Sequence, residues 1–449
     1  MFYADRNRGS SKLYATGALV ALLGSVPSFA DDGSVAVAYR NGIWWDGNSE
    51  SVGTKYVRDG SFVSPDGLND CRTVDLHGAT VTAPFAEGHN HNIVASIFER
   101  SNAEYLRNGV FYVKVPTTYP PAIDGIRERL DRPDTVDVIF SMGGVTSPGG
   151  HPVPLFVNTL SDTLYDGATY DDFKGQAFHE VENESEVRAA VERISSHGAD
   201  FVKVTLIYSE DYRAPDYDGQ PLRGLHPDLL PAVVRESHAR GLTVTLHVNS
   251  AADFRAGVAA GVDEIAHLPG IAWPPDRTAG DHSLSAEDAA RARDAGIAVV
   301  TTTYVIEVVF RNQPEKLATF RAMQKSNLAT LRAAGVEIRI GSDTYDRQGT
   351  GVGANPTLGE IRSLVSIGAF DPTTALSLWI ATGRSIFPER RIACFDPGCE
   401  ASFLVFAENP RTDIDKLATL SAGVKQGFVV AGSFEDQSPA ITDCRSRQL

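Results

Sequence analysis

The chain has 449 residues, of which 42% are hydrophobic and 22% charged, and its formal charge is −16. That length accommodates a barrel-sized core with a smaller domain beside it, and that composition is ordinary for a globular protein. A charge of this sign argues against nucleic acid as a partner, since phosphate binding wants a basic face.

The first element is not part of the fold. Arg6, Arg8 and Lys12 precede an apolar run from Leu13 to Val26, and Ser28-Phe29-Ala30 offers small residues at the −3 and −1 positions of a cleavage site. Residues 1–30 therefore read as a secretory signal peptide, cleaved after Ala30. The apolar run is shorter than the ~20 residues needed to span a bilayer. The expected destination is periplasmic or secreted, with no membrane span once the signal is removed.

Short strands with turn signals follow: Ser34–Tyr39, Gly42–Trp45, Tyr56–Arg58 and Thr73–Asp75. From residue 84 the texture changes, and apolar β-branched runs alternate with helical segments. The candidate strands are Thr80–Pro84, Val110–Pro116, Thr135–Ser141, Phe201–Leu206, Thr243–His247, Glu264–His267, Ala298–Thr303 and Glu337–Ile340. Among the helices, Leu229–Arg240 stops at Gly241, Ser285-Ala286-Glu287-Asp288 is a capping box, and Lys316–Ala334 stops at Gly335. Strands alternating with helices predict an α/β fold, a (β/α)8 TIM barrel over residues 84–388. No Gly-rich phosphate turn follows an early strand, which disfavours a doubly wound sheet. Strand texture returns at Ser402–Phe406 and Gly423–Val430. Residues 31–83 and 389–449 are thus expected to build one small β-sandwich domain from both ends of the chain.

The four cysteines are Cys71, Cys394, Cys399 and Cys444. An even number in an exported chain predicts disulfides. The expected pairing is Cys394–Cys399 across the turn Asp396-Pro397-Gly398, with Cys71–Cys444 tying the start of the chain to its end. None lies near a histidine motif, so a zinc–thiolate site is not expected.

The chemistry sits at strand ends. The first carries Gly88-His89-Asn90-His91, whose two imidazoles fall on one face at strand spacing. Lys203 lies between Val202 and Val204, where an unpaired ammonium is costly to bury. The next ends carry His247 in Leu246-His247-Val248-Asn249, His267 in Ala266-His267-Leu268, and Asp343 in Gly341-Ser342-Asp343. Singly, each has an ordinary reading: a hydrogen-bonded histidine, a lysine paired with a buried acid, a helix cap. Together, at successive strand ends that a barrel brings to one face, they point to a metal centre.

This set resembles the amidohydrolase superfamily, in its binuclear branch with a carboxylated lysine, over nearly the whole mature chain. The run Ala259-Ala260-Gly261-Val262-Asp263-Glu264-Ile265-Ala266-His267 resembles the segment before that family's sixth-strand histidine, and the prolidase-like and imidazolonepropionase-like groups are the most similar. The resemblance implies that His89, His91 and Asp343 bind one divalent ion and His247 and His267 a second. Lys203, as N6-carboxylysine, bridges the two, and zinc suits the ligand set. It implies an enzyme, a metal-dependent hydrolase of carbon–nitrogen bonds working through a metal-bound hydroxide, with Asp343 as the proton carrier. Two positions depart from the family pattern: Asn249 stands where relatives often have a second histidine, and Ala401-Ser402-Phe403 replaces an Ala-Asp-Leu signature.

The expected substrate is a small amide, an N-acyl amino acid or short peptide. A lactone, ester or cyclic amide is the alternative, and a non-catalytic exported metal-binding module is the alternative of another class. His151, in Gly149-Gly150-His151-Pro152, is a candidate for catalysis or substrate contact, and Tyr208 a candidate for substrate contact. Arg213 and Arg223, in the long polar loop after the fourth strand, could clasp a carboxylate. The sequence is compatible with an oligomer.

Overall fold

A computed structural model of the chain describes residues 35–212, 223–271, 274, 276–345, 356–434 and 441–444. The expected signal peptide and Arg213 lie outside these residues.

The chain opens with β1 (Ala36–Trp45), β2 (Glu50–Arg58), β3 (Ser61–Val63), β4 (Asp70–Asp75) and β5 (Thr80–Thr82). The central strands are β6 (Phe85–Glu87), β7 (Val110–Thr118), β8 (Asp137–Met142), β9 (Gly144–Thr146) and β10 (Phe178–Glu180), then β11 (Phe201–Thr205), β12 (Thr243–His247), β13 (Glu264–Ala266), β14 (Ala298–Val300) and β15 (Ile338–Arg339). The last are β16 (Phe403–Phe406), β17 (Leu420–Lys425), β18 (Phe428–Gly432) and β19 (Ile441–Asp443).

Both ends of the chain meet in one nine-stranded sheet, in the order β18-β17-β16-β5-β1-β2-β3, with β4 beside β1 and β19 beside β4. Its pairing is continuous and branches at β1, rather than being divided between two separately paired layers. The two disulfides are Cys71–Cys444, beside the β4–β19 pair, and Cys394–Cys399. Asn41, at φ 57°, sits where the β1–β2 register shifts, so the two expected strands Ser34–Tyr39 and Gly42–Trp45 are one bulged strand.

The central strands pair in parallel throughout, as a seven-stranded sheet β10-β9-β11-β12-β13-β14-β15 and a three-stranded sheet β6-β7-β8. The fold is therefore α/β with parallel sheets, and the intervening helices match the expected ones closely: Leu230–His238, Ala286–Asp294 and Pro314–Ala334. Hydrogen-bonded pairing does not close either sheet among the described residues. At the two seams the backbones still touch: Gly88 N donates to Ile340 O at 2.8 Å, and Asp200 N to Phe140 O at 2.8 Å.

Two strand expectations need correcting. Thr80–Pro84 is not the first strand of the central sheets, because Thr80–Thr82 pairs with β1 and β16. Pro84 lacks the N–H a ladder needs, and the chain crosses there to β6, which delivers His89. The third candidate, Thr135–Ser141, is replaced by β8 and β9, which fall in different sheets on either side of Gly143. That glycine has φ 85°, and a Cβ there would lie 2.3 Å from Gln176 O.

A buried ion cluster fastens the terminal sheet to the central one. Lys425 Nζ meets Asp137 Oδ1 at 2.5 Å with both side chains fully buried, and it donates to the carbonyls of Arg132 and Thr135. Arg390 lies 2.7 Å from the other Asp137 oxygen. Breaking a buried pair by removing one partner costs about 3–5 kcal/mol. Lys425→Met is expected to lower the unfolding free energy, followed by circular dichroism in urea, by about 3 kcal/mol; an unchanged midpoint would show that this pair does not fasten the two sheets.

Candidate metal centre

Every candidate ligand is carried by a parallel strand or by the turn that follows it. The chain leaves β6 at Glu87 for His89 and His91; β11 contains Lys203; β12 ends on His247; β13 stops one residue before His267; β15 leads through Gly341 to Asp343. Glycines set the spacing between the first and last of these. A Cβ on Gly88 would lie 2.7 Å from Ile340 O, and one on Gly341 would lie 2.8 Å from both N and Cβ of His89.

The imidazoles form a continuous run. Ring centroids are 5.5 Å apart for His91 and His89, 4.7 Å for His89 and His267, 4.4 Å for His267 and His247, and 5.0 Å for His247 and His151. Asp343 Oδ1 is 3.4 Å from His89 Nε2 and 3.2 Å from His91 Nε2, and its Oδ2 is 3.6 Å from His267 Nδ1. Ligand atoms of His89, His91 and Asp343 all lie within 4.8 Å of one another. His247 and His267 adjoin that trio rather than converging on the same point.

Burial decides the charge states. It holds His89, His247 and His267 well below the ordinary histidine range, and the Lys203 charge adds to the effect. Burial likewise lowers His151 to about 4 and the Lys203 ammonium to about 7. Within this cluster, three buried nitrogens have no hydrogen-bond partner: His89 Nδ1, His247 Nε2 and Lys203 Nζ, the last on a residue only 4% exposed. Such groups are costly to bury unless something satisfies them. Neutral imidazoles, a carboxylate and unpartnered nitrogens in one cluster are the donor chemistry that suits a divalent metal.

A separate ion network lies beside the cluster and leaves Lys203 unpaired. Lys114 Nζ is 2.7 Å from Glu264 Oε1, and Arg339 is 2.6 Å from Glu264 Oε2. Burial alone would raise the Glu264 carboxyl, but these two cations outweigh it and hold it at about 2. The acid that would pair with an ordinary buried lysine is thus already taken.

His151 joins the cluster through a tight loop. Its N donates to Arg223 O at 2.7 Å, and a Cβ on Gly150 would lie 2.5 Å from Thr146 Oγ1. Arg223 donates through Nη2 to Pro148 O at 2.5 Å, which puts its guanidinium against the same loop. Tyr208 is buried, with its hydroxyl 2.9 Å from His282 Nε2 and Arg277 over its ring. Asn249, the departure from the family pattern, hydrogen-bonds His247.

Several residues absent from the sequence expectations hold this arrangement. Glu87 Oε1 accepts from His89 N at 3.0 Å and Ser342 N at 2.9 Å, and its Oε2 accepts from Ser342 Oγ at 2.7 Å. Asp253 accepts from the backbone N of Tyr208, Ser209, Asn249 and Ser250, tying the loop after β11 to the loop after β12. Thr302 Oγ1 lies 2.8 Å from His267 Nδ1. The available signal for Glu87 was a carboxylate in an apolar strand two residues before a strand-end histidine. Asp253 is hidden by its capping box with Ser250, an everyday helix start.

No family model matches the chain, and no curated protein matches it in sequence. Solved structures do. An amidohydrolase is similar at TM-score 0.68 and 19% identity, over 89% of this chain and 100% of that one. A Xaa-Pro dipeptidase with methionine bound in its active site gives 0.67 and 18%, over 88% and 100%. The ochratoxinase of A. niger gives 0.65 and 18%, over 89% and 96%. The chain has the fold of these proteins.

Ala at position 341 would force His89 away from Asp343. Gly341→Ala is expected to fold and to hold at least one fewer ion per chain than the wild type by atomic absorption; an equal metal content would contradict this account of the seam.

Proposed function

We propose that this chain is an exported metal-dependent amidohydrolase that cleaves the C–N bond of a small amide, such as an N-acyl amino acid or a short peptide. The observation that carries this is the single cluster of buried His89, His247, His267 and Lys203 with half-buried His91 and His151 around the Asp343 carboxylate. The amidohydrolase and the Xaa-Pro dipeptidase among the structural relatives support hydrolysis of a peptide-like amide.

In this proposal His89, His91 and Asp343 hold one divalent ion and His247 and His267 a second, with zinc the natural choice. Lys203, as N6-carboxylysine, would be shared between them, which would give its unpartnered nitrogen a role. Bound ions of this kind supply Lewis acidity at a carbonyl oxygen and a more acidic water than bulk solvent provides.

The chain's own groups do the rest. Asp343, with one oxygen facing His89 and His91, takes a proton from the attacking water and passes it to the leaving nitrogen. The new C–O bond forms first and the C–N bond then breaks with its electron pair going to nitrogen, giving an acid and an amine; transfer of the second water proton leaves a carboxylate and an ammonium. His151, neutral in its burial beside His247, offers an N–H to the oxygen on which charge develops.

The same proposal takes the two parallel sheets as arcs of one (β/α)8 barrel over residues 84–388, supported by the backbone contacts at both seams. Residues 31–83 and 389–449 then form the β-sandwich domain, with its two layers sharing the long strand β1, where the pairing branches. Two disulfides support an oxidising destination, periplasmic or secreted, after cleavage at Ala30.

Dipeptides, N-acyl amino acids and lactones, offered to the zinc-loaded protein with and without a chelator, separate the substrate classes. Chelator-sensitive release of an amine is the expected result; turnover of lactones alone would replace the amide assignment. Asp343→Asn is expected to fold and to lose more than the ~10²–10⁴-fold that removal of a general acid–base usually costs. Near-normal kcat in that variant would remove the proton-transfer role.

A further inference from the structure

We infer that helix Pro356–Ser366 keeps the two halves of the centre in register, with Thr357 and Glu360 as its positioning residues. The inference rests on the two-ion proposal above and adds to it a part played by residues that touch neither ion nor substrate.

Thr357 and Glu360 are three residues apart, so they share one face of the helix. Both are fully buried. Each reaches a different half of the centre. Thr357 Oγ1 donates to Glu87 Oε2 at 2.7 Å. The same carboxylate holds the backbone N of His89 and of Ser342, and Asp343 N donates to His89 O at 2.8 Å. Glu360 accepts from Thr303 N at 2.9 Å, Thr303 Oγ1 at 3.0 Å and Tyr304 N at 2.6 Å. Those residues directly follow Thr302, whose hydroxyl meets His267 Nδ1.

The backbone explains why such anchoring is needed. Asp343 has φ 50° and Thr302 has φ 48°, in the left-handed region that non-glycine residues avoid. Such conformations persist only where their surroundings over-determine them. Here one strained residue supplies a ligand and the other fixes a ligand's ring, and the next anchor along from each lies on this helix. Buried carboxyl groups are an expensive way to fill a core unless their oxygens are satisfied. Glu87 and Glu360 instead gather several backbone and hydroxyl donors each. A partner that orients a metal-binding histidine typically affects metal affinity 10–100-fold.

The test is chelator-competition titration of the full chain with zinc, reading two dissociation constants, with unfolding followed separately. Thr357→Val is expected to weaken one ion by about 10-fold and Glu360→Gln the other by a similar factor, while Thr357→Ser restores wild-type binding. In a His91→Ala background, Thr357→Val should add nothing, whereas Glu360→Gln should still weaken the remaining ion. Should either variant fail to fold, Thr357→Ala and Glu360→Asp make the same comparison. Lowered unfolding midpoints with both constants within twofold of wild type, or both ions weakened equally by either change, would overturn the inference and leave the two-ion proposal standing. A wild-type chain that binds no zinc would overturn both.

Discussion

A lysine side chain buried among imidazoles, with no acid in hydrogen-bond contact with its nitrogen, is the constraint from which the rest of the centre follows. The ordinary solution for a buried lysine is an ion pair, and this chain uses that solution elsewhere. Lys114 pairs with Glu264, and Lys425 with Asp137. Lys203 has neither, and its nitrogen is among the unpartnered buried atoms. The neighbouring histidines are neutral donors, so they do not compensate a positive charge. The proposed role, an amine that takes up CO2 and is then shared between two ions, would remove that cation from the core. Holding such a site together then requires fixed backbones on strands far apart in sequence.

That requirement is met by carboxylates that are not ligands. Glu87 spans β6 and the turn after β15, Asp253 spans the loops after β11 and β12, and Glu360 holds the turn after β14. Each takes backbone N–H groups from segments that carry or adjoin the histidines and Asp343. Gly88 and Gly341 provide the complementary feature, an absence of side chain where two backbones must pass closely. The candidate ligands and the residues behind them are thus one construction: imidazoles gathered at Asp343, acids behind them, and a helix linking two of those acids' networks.

Much of this could be seen in the chain before its structure. β-branched runs ending in His, Lys or Asp mark β11, β12, β13 and β15, because buried parallel strands must be apolar until they reach the face where chemistry happens. The two cysteine pairs follow from their even number and from the returning strand texture at the C-terminus. Other features are invisible at that level for physical reasons. Thr80–Thr82 and Phe85–Glu87 are short strands separated only by Ala83-Pro84, and nothing local assigns them to different sheets. Phe178–Glu180 is too short to stand out. Glu360 has the appearance of an exposed helical charge, and Glu87 of an interruption in a strand. Their roles depend on partners such as Ser342, 255 residues from Glu87, and only the fold brings those together.

The central claim is that Lys203 carries a carbamate within a divalent metal centre, and ¹³C NMR of the zinc-loaded protein prepared in labelled bicarbonate tests it most directly. The account predicts a carbamate carbon resonance that persists after free bicarbonate is removed and is absent from Lys203→Met. A protein that binds two ions and retains no label, or that retains it equally in Lys203→Met, would contradict it.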